Sequence, residues 1–222
     1  YGASYYDIYR DEVRYAGSFG NAGVFSFYPS KIITTAEGGM ITTNDGELAE
    51  RCRVVRNHGT RRNDGEHQGL DYGYTCDMPS NNYRMSEFHA VLGLYQNKYL
   101  TDFLVRRNEI AEIYHERLKD IEWLETPLVD DFVYQTWWQY IVRIIDGRDR
   151  TEVLLKLLND YDIPTANAYQ PLCHQQKIYD KFLSKKGFKN SNSFITKIFS
   201  LPMYVELTDE EVNYICDCLY KL

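Results

Sequence analysis

The pattern of apolar and polar positions divides the chain into short strands, then long helices, then a mixed region. Val24, Phe25, Ser26, Phe27 and Tyr28 form a β-branched and aromatic run, which predicts a buried strand. Pro29 ends it, because proline has no amide hydrogen for a ladder. Lys31 follows in the loop just past the strand, Gly38-Gly39 turns the chain, and Met40 to Thr43 predicts a second short strand. Asp45 caps a predicted helix through about Arg56, which stops near Gly59. Residues 60 to 80 are polar and aperiodic, and a loop of that length in a compact domain is more often functional than idle.

From Ser86 the spacing of Glu87, Ala90, Leu94 and Tyr95 turns helical. Ile110, Ile113 and Leu118 continue the apolar stripe, so one long helix to about Leu118 is expected. Arg106, Arg107, Glu109 and Glu112 read as its solvated face. Beyond Asp120, Trp123–Thr126 and Tyr140–Ile144 predict strands, and Asp149 to Tyr161 predicts a helix with Val153, Leu154, Leu157 and Leu158 inward. Residues 175 to 185 and 191 to 198 are weaker helix candidates. Thr208 and Glu211 form a capping box that opens a last helix. Tyr1 to Ala16 shows no clean period. Mixed strands and helices suggest a second, smaller α/β unit from about residue 106.

Composition narrows the function classes. With 44% hydrophobic and 26% charged residues over 222 positions, the chain can bury a sizeable core. A net charge of -7 disfavours a nucleic-acid partner, since phosphate binding needs clustered Lys and Arg. The five cysteines are odd in number and include no CxxC pair, so neither a disulfide scaffold nor a metal site is expected. Reduced thiols fit a cytoplasmic protein. No apolar run reaches membrane-spanning length.

The candidate chemistry sits around Lys31. A free lysine amine has a pKa of about 10.4 and is charged at neutral pH. Partial burial lowers that value and yields an amine able to form an imine. Phe27, Tyr28, Ile32 and Ile33 supply an apolar setting, Ser26 a hydroxyl, and the nearby glycines backbone amides open to an anion such as phosphate. Taken alone, the same residues also describe an ordinary solvated loop lysine beside a turn serine.

Five ordered blocks separate the two readings. GSFGNAGVFSFYPSKIITTAEGGMITTND at 17 to 45 resembles the lysine motif of the DegT/DnrJ/StrS aminotransferases. ELAERCRVVRNHG at 47 to 59, NNYRMSEFHAVLG at 81 to 93, YQPLCHQQKIY at 169 to 179 and SLPMYVELTDEEV at 200 to 212 resemble the family's later blocks in the same order. The resemblance implies the α/β fold of the fold-type-I transferases dependent on pyridoxal phosphate (PLP). It further implies a partial large domain over residues 1–105 and a smaller C-terminal α/β domain over 106–222.

By that resemblance Lys31 is the catalytic Schiff-base lysine, and Ser26 and Asn82 bind the cofactor phosphate, Asn82 across the interface of a homodimer with a shared active site. Arg84 would grip a substrate carboxylate, with a surface ion pair as its alternative. His174 would touch substrate, although Cys173 intrudes where the family places His directly after Pro-Leu, so either the loop carries an extra residue or His174 has left the site. Ala36 replaces the usual glycine, a mild departure unless the position needs positive φ. Retention of Lys31 argues against the sugar dehydratases of the family, which carry histidine there.

The implied activity is transfer of an amino group from an amino acid, glutamate, to a nucleotide-linked keto sugar. The alternatives are a non-catalytic relative that binds or regulates, and a PLP-dependent sugar dehydratase or epimerase. The family's chain extends further upstream, where an Asp pairs with the pyridine nitrogen and a helix start binds phosphate. The sequence is therefore expected to be part of a longer polypeptide, the alternatives being that another chain supplies the missing half or that the protein is a degenerate relative.

Overall fold

A computed structural model describes residues 2–62, 74–167, 170–182 and 187–222. It divides into two compact units, Tyr1–Thr101 with Phe132–Tyr134, and Asp102–Asp131 with Gln135–Leu222.

In the first unit, β1 (Ser4–Asp7) and β2 (Glu12–Tyr15) form a hairpin, β3 (Gly23–Ser26) pairs antiparallel with β4 (Gly39–Thr42), and α1 (Gly46–Arg56) follows. Next come a second hairpin, β5 (Thr60–Arg62) with β6 (Tyr74–Cys76), and α2 (Glu87–Asn97). The expected functional loop at 60 to 80 is thus bounded by paired strands, and its centre, 63–73, lies outside the described residues.

The hairpin at the start has no hydrophobic period because its pairing does not come from a buried face. Asp7 turns the chain by accepting from Tyr9 N–H at 3.1 Å, and Asp11 takes a φ of 53°. The strand β1 then gains a second antiparallel partner far along the chain, Val133–Tyr134.

The second unit comprises α3 (Leu100–Leu118) apart from its first two residues, β7 (Leu124–Glu125), β9 (Tyr140–Ile144) and α4 (Arg150–Tyr161). It continues with β10 (Ala166–Asn167), α5 (Lys189–Ile195), β11 (Ile198–Leu201) and α6 (Asp209–Tyr220); β8 is the Val133–Tyr134 strand of the first unit. The sheet runs β10-β11-β9-β7, all antiparallel. Its core joins Ile110, Tyr114 and Leu118 of α3 to Val142 and Ile144 of β9, Leu157 of α4, and Val212, Ile215 and Leu219 of α6. Each such aliphatic side chain contributes about 1.5–3 kcal/mol on burial.

Local signals set the helix starts. Asp45, Ser86, Asp149 and Thr208 each accept from a backbone amide of the first turn. The Thr208–Glu211 box closes in both directions, at 3.2 and 2.8 Å.

Arg107, expected on the solvated face of its helix, is instead buried and donates to Trp137 O at 2.9 Å and Met203 O at 3.1 Å. Three helix expectations also change. The single helix from Ser86 is two, α2 and α3, because the chain tightens to three-residue bonds at Lys98 and Tyr99, donating to Tyr95 O and Gln96 O at 3.2 and 3.0 Å. Neither residue is a helix breaker, so nothing in the sequence marks the joint. The helix expected at 191 to 198 ends at Ile195, and Ile198–Leu201 is instead a strand between β9 and β10, too short and too fully buried to show alternation. The helix candidate at 175 to 185 is only two single 3-10 turns, Cys173–Gln175 and Lys177–Tyr179, while 183–186 lie outside the described residues.

The first unit buries few apolar side chains. Phe27, Ile32, Ile33 and Val54 are covered, but Val24 on β3 is 79% exposed and Phe88 on α2 is 90% exposed. The strand expected to be buried is therefore covered only at alternate positions, Gly23, Phe25 and Phe27, while Val24 and Ser26 are exposed. All five cysteines are free thiols, and no group of metal-holding side chains occurs among the described residues. No helix among them is long and apolar enough to cross a membrane.

Candidate active site

The site grows from the end of β3. Ser26 is the last strand residue, opposite Gly39. A side chain at Gly39 would lie 2.8 Å from Phe25 O, so glycine lets the two strands close here. Past the strand, Ser26 Oγ accepts from Tyr28 N–H at 3.3 Å, and Lys31 N–H donates to Tyr28 O at 2.9 Å. This turn puts Lys31, half-buried, at the mouth of the strand that ends in Ser26.

The chain after Lys31 is held from three sides. Ile32 and Ile33 are buried. Phe27 O accepts from both Thr34 Oγ1 at 2.7 Å and Thr35 N–H at 3.0 Å, while Thr34 N–H donates to Gln96 Oε1 on α2 at 2.9 Å. Thr35 is 2% exposed, and Gly93 of α2 presses against it so closely that a side chain there would sit 2.7 Å from Thr35 Cγ2.

Ala36 takes a φ of 65°. Its replacement of the usual glycine is therefore not neutral, because the position lies in the left-handed region that disfavours a Cβ.

A second group forms where α1 ends. Gly59 N–H returns to Val54 O at 3.0 Å with a φ of +71°, and a side chain there would collide with Met78 O at 1.9 Å. This is the physical reason for the stop near Gly59. Just before it, Asn57 forms an antiparallel bridge with Asn82. Arg84 Nε donates to Asn82 Oδ1 at 3.1 Å, and Arg84 Nη1 donates to Asn57 Oδ1 at 3.3 Å. Asn82 Oδ1 also accepts from Arg84 N–H at 3.1 Å, which turns its Nδ2 away as a donor. Arg84 has no carboxylate partner among the described residues, so the ion-pair alternative is not realised there.

Lys31 and Ser26 thus share one turn, and Asn82 and Arg84 share one hydrogen-bonded group. His174 belongs to the second unit, 7% exposed, with its ring stacked on Phe188 at 4.2 Å between centroids and its Nε2 2.8 Å from Asn192 Oδ1. There it packs within its own loop, as the ring stacking and the Asn192 contact show. Sequence reading missed Asn57, Gln96 and Gly93 as site residues, although Asn57 and Gly93 lie inside quoted blocks. Their contributions are tertiary contacts and leave no periodicity.

A half-buried primary amine, an exposed hydroxyl and an amide donor suit a group carrying an aldehyde and a phosphate, which is the chemistry of PLP. The comparisons agree. The DegT/DnrJ/EryC1/StrS aminotransferase family description matches residues 1–220. The spore coat polysaccharide biosynthesis protein SpsC of Bacillus subtilis is 33% identical over 96% of this chain and 56% of its own length. The dTDP-3-amino-3,6-dideoxy-alpha-D-galactopyranose transaminase of Aneurinibacillus thermoaerophilus is 33% identical over 92% of this chain and 52% of its own. Spr1654 of Streptococcus pneumoniae, solved in its PLP form, shares the fold with a TM-score of 0.84 at 23% identity, covering 99% of this chain and 54% of that one. The chain therefore spans about half the length of the curated relatives it matches. Pyridoxal phosphate is the cofactor of this family. The match over residues 1–220 shows that the chain belongs to the DegT/DnrJ/EryC1/StrS aminotransferase family.

Proposed function

We propose that this chain forms the lysine-bearing part of a PLP-dependent sugar aminotransferase that takes an amino group from glutamate and gives it to a nucleotide-linked keto sugar. The observation that carries the reading is Lys31, half-buried at the end of the β3 turn and five positions after an exposed serine hydroxyl. The sugar-nucleotide acceptor is supported by the transaminase relative, whose name specifies a dTDP-linked amino sugar.

The residues divide the work. Lys31 Nζ would hold the cofactor through its aldehyde, and the lysine amine would serve as the general base that takes the proton from the donor Cα. Ser26 Oγ and Asn82 Nδ2 bind phosphate oxygens, with Asn82 serving a neighbouring subunit of a homodimer. Arg84 grips the donor carboxylate through its planar fork. His174 supports the loop at 170 to 176 through Phe188 and Asn192. PLP, when bound, supplies the electron sink that makes the donor Cα acidic.

The test is spectroscopic and uses the full-length protein. A visible or near-ultraviolet cofactor band should appear, shift on addition of glutamate, and vanish in Lys31→Ala. Absence of the band favours a binding or regulatory role. Turnover of a sugar nucleotide without any amino donor overturns transamination in favour of dehydration.

A further inference from the structure

We propose that Asn57 is the positioning residue that holds Arg84 ready for a carboxylate ligand. The inference rests on the aminotransferase reading of Arg84 and adds a residue to it.

Asn57 occupies the C-terminal cap of α1. Its side chain is fixed by a closed pair of bonds. Nδ2 donates to Thr60 Oγ1 at 2.8 Å, and Thr60 Oγ1 donates back to Asn57 O at 2.6 Å. With its nitrogen turned toward Thr60, the amide presents its oxygen on the opposite side, where Arg84 Nη1 meets it at 3.3 Å. The two backbones are laced together at the same place, since Tyr83 N–H donates to Arg56 O at 2.9 Å and His58 N–H to Asn81 O at 3.1 Å.

The result is a guanidinium held at two of its three nitrogens. Asn82 takes Nε and Asn57 takes Nη1. Among the described residues Nη2 has no partner. The end of the fork is left for a ligand, with its orientation already set. An arginine ordered before binding loses less conformational freedom when the ligand arrives. The neutrality of both acceptors matters equally. An amide oxygen orients the guanidinium without cancelling its charge, whereas a carboxylate at either position would compete with the ligand. Arg84 therefore keeps its charge uncancelled by Asn57 and Asn82.

The experiment measures the affinity of the full-length holoprotein for succinate, an unreactive dicarboxylate, by calorimetry. The cofactor absorbance and the melting temperature are recorded for every variant. Asn57→Ala is expected to weaken succinate about tenfold, an effect of the size seen for coupled neighbours, with the absorbance band unchanged. In an Arg84→Ala background the same change should cost nothing more. Asn57→Asp, nearly the same shape but charged, should weaken succinate at least as far. Wild-type affinity in Asn57→Ala, or an equal loss with and without Arg84, overturns the proposal. Should Arg84→Ala itself bind succinate as the wild type does, the carboxylate role of Arg84 falls and Asn57 falls with it. A band that still depends on Lys31 would then leave the cofactor assignment standing.

Discussion

Thr34 and Gln96 lie 62 positions apart, yet the Thr34 amide donates to Gln96 Oε1 at 2.9 Å and ties the stretch after Lys31 to helix α2. One turn earlier on the same helix, Gly93 meets Thr35. The backbone that carries Lys31 is therefore shaped by a helix with no buried residue of its own.

Gly93→Ala should show how tight that contact is. The added carbon would lie 2.7 Å from Thr35 Cγ2, and Thr35 is 2% exposed, so the helix or the loop must move. Overpacking costs about 1–3 kcal/mol, while alanine returns about 1 kcal/mol of helix propensity. A net loss of up to about 2 kcal/mol in urea unfolding is expected, with faster amide exchange at residues 32 to 36. Unchanged exchange there would show that α2 does not hold the loop.

Ala36→Gly should act in the opposite direction. Ala36 has a φ of 65°, where a Cβ meets backbone oxygen. Releasing that strain is worth about 1 kcal/mol, partly offset by the greater freedom of glycine when unfolded. A rise in melting temperature is expected, and a fall would mean that the alanine methyl makes a packing contact of greater value.

Arg150 offers a test in the second unit. It is buried, with Nη1 donating to Ile195 O and to Ile198 O, the latter at 3.4 Å, and Nη2 donating to Gln170 Oε1 at 3.1 Å. One guanidinium thus joins α4, the end of α5, the start of β11 and the loop that leads to His174. Arg150→Ala should cost about 2–3 kcal/mol, because buried carbonyls lose a charged donor. Arg150→Lys should recover only part of the loss, since a point charge cannot serve a planar fork. Full recovery by lysine would show that charge alone suffices.

Tyr140 gives the pH prediction. Its hydroxyl is buried without a hydrogen-bond partner among the described residues, while its ring packs on Tyr114 at 4.8 Å. Burial raises the pKa of Tyr140 and of Tyr114, and pushes the Cys216 thiol from 9.0 up to about 12. All three groups are neutral in the fold and lose protons more readily in the unfolded chain. Stability from this source is therefore complete below pH 9 and declines as pH rises toward 12, by up to about 1.4 kcal/mol per pH unit for each group. Tyr140→Phe removes one of them and an unmade hydrogen bond, so it should raise stability at pH 7 by about 1 kcal/mol and make the alkaline decline shallower. A destabilised Tyr140→Phe protein with an unchanged decline would contradict both statements.

What the chain determines locally was legible in advance. Asp45, Ser86, Asp149 and Thr208 start helices because a short side chain oxygen reaches its own first turn. Gly59 ends one because only glycine fits beneath Met78. The placing of Lys31 just past the strand that ends in Ser26 was readable because both lie in one short motif. What required the folded chain were contacts between segments with no local mark. The β1–β2 hairpin forms through pairing rather than through hydrophobic alternation, and Ile198–Leu201 becomes a strand only because β9 and β10 lie on either side. The burial of His174 against Phe188 and the grip of Asn57 on Arg84 likewise depend on distant residues meeting at hydrogen-bonding or van der Waals range. Neighbours along the backbone impose a cap or a turn through fixed covalent geometry, whereas the aim of a side chain is decided by whatever the rest of the fold brings beside it.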